Sequence, residues 1–351
     1  MAFGGFAFRN WGAAKYSALT PKNLRNYTFF MEKTRVGVVG VGHMGDFHAR
    51  VYREIPYVDL VAVVDVSVDR AREVAEKYHT TPFTDYRDIY GLVDAVSICV
   101  PTSLHYTVTA DFLAQKKDIL LEKPMTTSIE EAEDLISLAR DAGVLLQVGH
   151  VERFNAAVCE LKNVVQNPIF IESKRLGPKT PRIDDAGVIL DLAIHDIDIV
   201  LSLVKSEIKR INVAASSVYS GQEDIANIQM EFENGCIAVI TASRVTEEKI
   251  RTLAITQEDA YIFLDYADQE LHIHRRASSD YFTSQEVLRY KQESFIERIF
   301  VHKDNPLKLE LAYFIDAINN GTPPSSPRED LRSLKTTLDI LKMITTNKIL
   351  R

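Results

Sequence analysis

Two short stretches place a lysine, a carboxylate and an imidazole where chemistry could use them. In "LLEKPMT" (120–126) an apolar run ends in Glu122, Lys123 and Pro124. Proline has no amide hydrogen, so a strand ladder stops there and Lys123 stands at the strand's end. A lysine so placed can hydrogen-bond a substrate oxygen and stabilise a developing alkoxide. A solvated loop lysine fits the same spacing. In "GVILDLAIHDIDIV" (187–200), Asp191 and His195 lie four residues apart and share one face of a helix. An imidazole titrates near neutrality and can take a proton there. Asp191 could orient it or hold a substrate hydroxyl, although a plain Asp–His pair on a helix also fits. Asp196 and Asp198 point elsewhere. No Cys, second His or HExxH-type spacing accompanies this cluster, so no metal is expected. The "HIH" at 272–274 reads as exposed strand.

A third stretch offers a phosphate cradle. "GVGHMG" sets Gly40, Gly42 and Gly45 in the GxGxxG pattern, after an apolar strand and at the start of a helical stretch. That context makes it a dinucleotide-binding turn. Gly40 permits the turn, Gly42 lets backbone approach a pyrophosphate, and Gly45 lets helix and strand pack closely. Asp65 ends the next strand, placed to accept from the adenosine ribose hydroxyls. Its charge repels a 2'-phosphate, which favours NAD over NADP. Arg70, five residues on, could soften that preference.

These residues need a frame. Apolar runs at 35–40, 58–65, 94–100, 118–122 and 144–149 alternate with amphipathic stretches, the pattern of a doubly wound parallel sheet. Beyond about 153 the texture changes. A helix near 153–166, a strand at 169–176 and a helix at 187–204 lead into alternating segments at 208–219, 225–233, 236–245, 250–257, 260–266 and 270–275. Asn234-Gly235 marks a two-residue hairpin between two of them. Helices near 307–320 and 328–346 close the chain. The fold class expected is α/β: an N-terminal Rossmann domain over 33–153, then an α+β domain over 154–351 with a large, mostly antiparallel open sheet for substrate binding and oligomerisation.

Composition narrows the partners. The 351 residues exceed what one core usually holds. The net charge of -8 weighs against nucleic acid or an anionic membrane as partner. No apolar run approaches the roughly 18 residues that span a bilayer. Cys99, Cys159 and Cys236 are scattered, which fits reduced thiols in a cytoplasmic protein. The first 30 residues carry four basic and no acidic side chains. We read 1–32 as a tail, with Met31 the favoured true start.

Taken together, "GVGHMG", "VPTSLH" (100–105), "LLEKPM", "VGHVERFN" (148–155), "LDLAIHDID" and "NPLKLELAYFIDAI" (305–318) resemble the Gfo/Idh/MocA oxidoreductases over about 33–347. The resemblance implies a nicotinamide-dependent sugar or cyclitol dehydrogenase. It makes Lys123, Asp191 and His195 the catalytic set and NAD the cofactor. It adds His43, Met44, Pro101, Thr102, His105 and Glu122 to the cofactor contacts. Arg153, Asn155 and Arg175 become substrate contacts, with Lys174 and Arg175 placed to meet a diphosphate. "GHVERFN" and "GVILDLAIHDIDIV" further resemble the branch that oxidises the 3-hydroxyl of UDP-N-acetylglucosamine, although Ala156 stands where that branch often has proline. A homodimer or homotetramer is expected, because family members commonly pair through the open sheet. An inositol or free-sugar dehydrogenase, and an NAD(H)-binding sensor without turnover, are the alternatives.

Overall fold

The computed structural model describes residues 33–179, 186–284, 287–321 and 326–346. The tail over 1–32, including Met31, lies outside the described residues. In the first unit, six strands run parallel: β1 (Thr34–Val39), β2 (Val58–Val64), β3 (Thr81–Phe83), β4 (Ala95–Ile98), β5 (Asp118–Glu122) and β6 (Leu146–Gly149). Their order is β3-β2-β1-β4-β5-β6. The chain therefore reverses its direction of travel across the sheet between β1 and β4, where open α/β sheets bind ligands. Helices α1 (His43–Glu54), α2 (Val68–Tyr78), α3 (His105–Ala114) and α4 (Ile129–Ala142) cover both faces. That is why β1, β4 and β5 are apolar almost end to end: Val36, Val38, Ile98, Ile119, Leu120 and Leu121 are all fully buried. The short strand β3 was not anticipated; three residues carry no alternation to read.

The second unit is an eight-stranded sheet: β7 (Phe170–Leu176), β8 (Ile208–Ser216), β9 (Ile225–Phe232), β10 (Ile237–Ser243), β11 (Ile250–Thr256), β12 (Ala260–Asp265), β13 (Glu270–Ser284) and β14 (Val287–Ile299). Its order is β14-β13-β12-β11-β7-β10-β9-β8. Only β7 and β10 pair in parallel; every other neighbour is antiparallel. β13 runs well past the expected end at 275 and turns back as β14, a hairpin whose second strand the sequence did not announce. The turn at Asn234-Gly235 is real but longer than two residues. It closes with Gly235 N–H donating to Phe232 O (2.9 Å), and the glycine sits at φ +86°.

One sheet face is covered. α5 (Ala156–Val164), α6 (Ile194–Leu203) and part of the last helix pack Leu161, Ile197, Val200, Ile340 and Ile344 against Ile171, Ile228, Ile240 and Ile255. The strand period of two then sorts β7: Ile171, Ser173 and Arg175 face the helices, while Glu172 and Lys174 face away.

The closing helices tie the units together. α7 (Pro306–Asn320) opens on an Asn305 cap that accepts from Leu307 N (3.1 Å). The expected boundary put this helix with the second unit. Its Leu307, Leu311, Phe314 and Ile315 instead complete the core under β1 and β2. α8 (Pro327–Thr346) bridges both cores, with Leu334 in the first and Ile340 in the second. Among the described residues no helix is long and apolar enough to cross a membrane.

Candidate active site

The β1–α1 turn is shaped by two glycines. Gly40 sits at φ +83°, and a Cβ there would lie 2.8 Å from the Cys99 carbonyl. Gly45 lies against the turn so closely that a Cβ would come within 2.0 Å of Gly40 O. Gly42 is different: nothing lies within 4 Å of where its Cβ would be, and its side makes no capping hydrogen bond. The first-turn amides of α1 therefore lack a side-chain cap, as an anion site requires. Asp65 holds the turn from beneath, accepting from Val41 N (3.1 Å) and Ser67 N (3.0 Å). Arg70 holds it from above. Its Nε donates to Val41 O (2.7 Å), its Nη2 to Gly42 O (3.4 Å) and its Nη1 to Glu73 (2.8 Å). The empty space at Gly42, the uncapped amides and the fixed Asp65 carboxylate fit a dinucleotide. His43 is exposed beside Phe47 and Met44 is half-buried; Pro101 and Thr102 stand at the neighbouring carboxyl end of β4.

β5 stops at Glu122, and the Lys123–Pro124 peptide is cis. Lys123 Nζ donates to Asp191 O (2.7 Å) and Oδ1 (3.3 Å). This pair joins the two units across the cleft. Asp191 lies in a π-helical turn, Ile189–Ala193, just ahead of α6. Its partner is thus Lys123, not His195, and an orienting Asp191–His195 bond is not what the structure shows. His195 follows on α6 with Nδ1 buried and without a partner among the described residues. Burial first, then the charges of Lys123 and Arg175, pushes its pKa well below the ordinary value. The ring is held neutral around pH 7 and can accept a proton.

Several expected contacts have other work. Glu122 is buried, accepting from His48 Nε2 on Oε1 (3.0 Å) and from Lys123 N on Oε2 (3.2 Å). Burial would raise its pKa, but the His48 hydrogen bond and the His48 and Lys123 charges outweigh it and hold the carboxyl below its usual range. Glu122 therefore braces the backbone of Lys123. His105 is also buried, its two ring nitrogens against Pro124 O (2.8 Å) and Val100 O (2.9 Å). It clamps the loop that carries Lys123.

Arg153 grips Asp198 with two nitrogens (2.6 and 2.5 Å) and Asp330 with a third (2.8 Å). Asn155 caps α5 through Ala157 N (3.1 Å) and donates to Tyr266 O (3.0 Å). Both bolt the crossover between units and are not free for substrate. Lys174 lies on the far face of β7, beside Glu172 (3.1 Å), which removes it from the cleft. Arg175 is buried over the Tyr266 ring and bound to Asp196 (2.6 Å) and Glu152 (2.8 Å). It reaches the wall of a cavity of about 240 Å³ beside Asp191, but its charge is already matched. Sequence reasoning missed the other cations on that wall, Arg244, Lys249 and Arg251. Only strand register brings them together. Among the described residues no three His, Cys, Asp or Glu side chains are placed to hold a metal.

Comparison with known proteins gives the same outline. A family model described as oxidoreductase family, NAD-binding Rossmann fold, matches residues 34–150, and the GFO/IDH/MocA C-terminal domain matches 162–263. The UDP-N-acetylglucosamine 3-dehydrogenase of Acidithiobacillus ferrooxidans is 36% identical over 70% of this chain and 78% of its own. Its solved structure superposes with a TM-score of 0.78, covering 88% of this chain and 97% of that one at 32% identity. The myo-inositol 2-dehydrogenase of Thermotoga maritima is 27% identical over 84% of this chain and 91% of its own.

Proposed function

The chain belongs to the Gfo/Idh/MocA oxidoreductase family, and from that premise we propose that it oxidises the 3-hydroxyl of UDP-N-acetylglucosamine to a ketone with NAD. The observation that carries the chemistry is the Lys123–Asp191 contact at the carboxyl edge of β5, with the neutral His195 ring beside it. A sugar hydroxyl between these side chains would meet a hydrogen-bond donor and a proton acceptor at once. Lys123 Nζ holds the hydroxyl oxygen and stabilises its negative charge as the proton leaves. His195 takes that proton. Its Nδ1 is buried without a partner among the described residues, so the proton is assigned to Nε2. Asp191 fixes Nζ, and Glu122 fixes the lysine's backbone.

The nicotinamide ring, when bound, supplies the acceptor for the hydride released from the carbon. Gly40 to Gly45 and the first turn of α1 would hold the pyrophosphate, and Asp65 the ribose. Asp65 is fixed at that position by two backbone amides, and Arg70 is spent on backbone carbonyls and Glu73, so the reading favours NAD over NADP. Similarity to an inositol dehydrogenase keeps a free cyclitol as the second reading. The second sheet face, which no described helix covers and on which Phe170 and Tyr261 are exposed, supports assembly as a homodimer or homotetramer, which sedimentation of the purified chain would check.

The test is reduced-nicotinamide absorbance with NAD and, in parallel, UDP-N-acetylglucosamine and myo-inositol, with a ketone trap to pull the equilibrium. Lys123→Met and His195→Asn should each lower turnover by roughly 10²–10³-fold while NADH still binds. Near-normal turnover in both variants would sink the assignment. Turnover on inositol alone would move it to the second reading.

A further inference from the structure

The cavity beside Asp191 carries more positive charge than the catalytic reading uses. Arg175, Arg244, Lys249 and Arg251 line it, with Asp191 and Leu192 between them. Strand geometry explains the crowding. β7 and β11 are antiparallel neighbours, and Arg175 stands directly opposite Arg251. Residues paired across a ladder share a face, so both guanidiniums point to the helix-covered, cleft side. Lys249 is two residues before Arg251 and continues that side at the strand's mouth.

Like charges directly opposite one another destabilise a sheet. Arg175 is relieved by Asp196 and Glu152. Arg244 donates to Ala186 O and lies 3.7 Å from the buried Asp224 carboxylate. Asp191 is matched by Lys123. Lys249 and Arg251 remain, and neither has a carboxylate partner among the described residues. Burial and then the facing Arg175 push the pKa of Arg251 down, and the more distant Glu152, Asp196 and Asp191 carboxylates only partly offset them. Two cations with no ion-pair partner among the described residues thus line a cavity that Asp191, the residue that holds Lys123, lines as well. A nucleotide-sugar diphosphate carries two negative charges and hangs from the sugar that must reach Lys123.

We propose that Lys249 and Arg251 form the subsite for the diphosphate of a nucleotide-sugar substrate, directing its sugar past Asp191 to Lys123. The inference deepens the proposed function and rests on it for the identity of the sugar, but the anion subsite can be tested without turnover. A planar guanidinium at Arg251 suits bidentate contact with phosphate oxygens, and Lys249 adds a point charge at the exposed rim.

The experiment is calorimetric titration of the full-length protein, saturated with NAD, with UDP and separately with inorganic pyrophosphate. The variants are Arg251→Gln, Lys249→Gln and, on the far sheet face, Lys174→Gln. Loss of a charge-assisted contact should raise the UDP dissociation constant about tenfold or more for Arg251→Gln and severalfold for the exposed Lys249→Gln. Lys174→Gln should match wild type. Because Arg251 faces Arg175, its neutral variant should melt no lower than wild type, so lost binding is not lost folding. UDP affinity unchanged in both cleft variants, or no UDP binding by wild type, overturns the subsite whatever the enzyme turns over. UDP binding that the cleft variants weaken sustains it, even if UDP-N-acetylglucosamine then fails as a substrate; that failure would count against the 3-hydroxyl reading alone.

Discussion

Two glycines in one turn should fail in different ways. Gly45 lies within α1, where helix propensity alone makes alanine the better residue by up to about 1 kcal/mol. The structure predicts the opposite sign. The added methyl would sit 2.0 Å from Gly40 O and 2.9 Å from Gly40 C. A carbon and a carbonyl oxygen rest no closer than about 3.3 Å, so helix and turn must part by about 1.3 Å. The turn cannot yield freely. Gly40 N–H donates to Val64 O at 2.8 Å, and Gly40 is packed against the Cys99–Val100 backbone, 2.8 Å from where a Cβ would stand. Overpacking of this kind costs about 1–3 kcal/mol, or roughly 3–10 °C of melting temperature in a domain of this size.

The same displacement misaims the α1 amides, and about 1 Å of misplacement is worth up to 10²-fold. Gly45→Ala should therefore melt lower and bind NADH ten- to a hundredfold more weakly. Gly42→Ala is the control. Its methyl meets nothing within 4 Å, although its backbone at φ −63°, ψ −147° lies outside the regions alanine prefers. With no clash to relieve, it should melt closer to wild type than Gly45→Ala does, losing only the backbone term, yet lose NADH affinity about tenfold or more, because the methyl occupies the space through which backbone meets pyrophosphate. Calorimetric melting and NADH fluorescence titration on the three proteins separate the two roles. Gly45→Ala with wild-type melting and wild-type affinity would refute the close-approach argument. Gly42→Ala with wild-type affinity would refute the placement of the dinucleotide.

Two further expectations concern groups that support the site. Glu310 is fully buried on α7 with neither carboxyl oxygen partnered among the described residues; burial and then the Glu122 charge push its pKa well above the ordinary value. An acid whose folded pKa is raised keeps its proton in the native state after the unfolded chain has lost it, so stability falls as pH rises above about 4.3. Glu310→Gln should gain stability over wild type through that window and lose the advantage below it, which urea melts at pH 4 and pH 8 will show. Arg153→Met strands the buried Asp198 and Asp330 carboxylates. It should cost roughly 3–5 kcal/mol, while the KM of whatever protein remains folded stays near wild type; a raised KM with unchanged melting would return Arg153 to the substrate.

What the sequence disclosed follows from which interactions are local. The GxGxxG turn and the break at Pro124 act within a few residues, and each stands where its chemistry puts it. The run-without-alternation of β1, β4 and β5 is likewise a local record of burial on both faces. The role of a charge is not local. Arg153, Asn155 and Arg175 read as substrate contacts because polar residues near a crossover often are. The structure spends them on Asp198, Tyr266 and Asp196, partners 45, 111 and 21 residues away. No spacing rule foretells such a pairing.

The same reasoning explains the residues that went unseen. Arg251 has nothing beside it in sequence to mark it. It becomes conspicuous only when the β7–β11 register sets it against Arg175 and leaves one of the two arginines without an ion-pair partner among the described residues. A buried ion pair that already balances says little about ligands, since its charges are satisfied in the folded chain. A half-buried cation that the fold leaves unbalanced in a cleft says more, because desolvating it costs free energy that a bound anion would return. In this cleft the matched arginines hold the two units together and the unmatched one points to substrate.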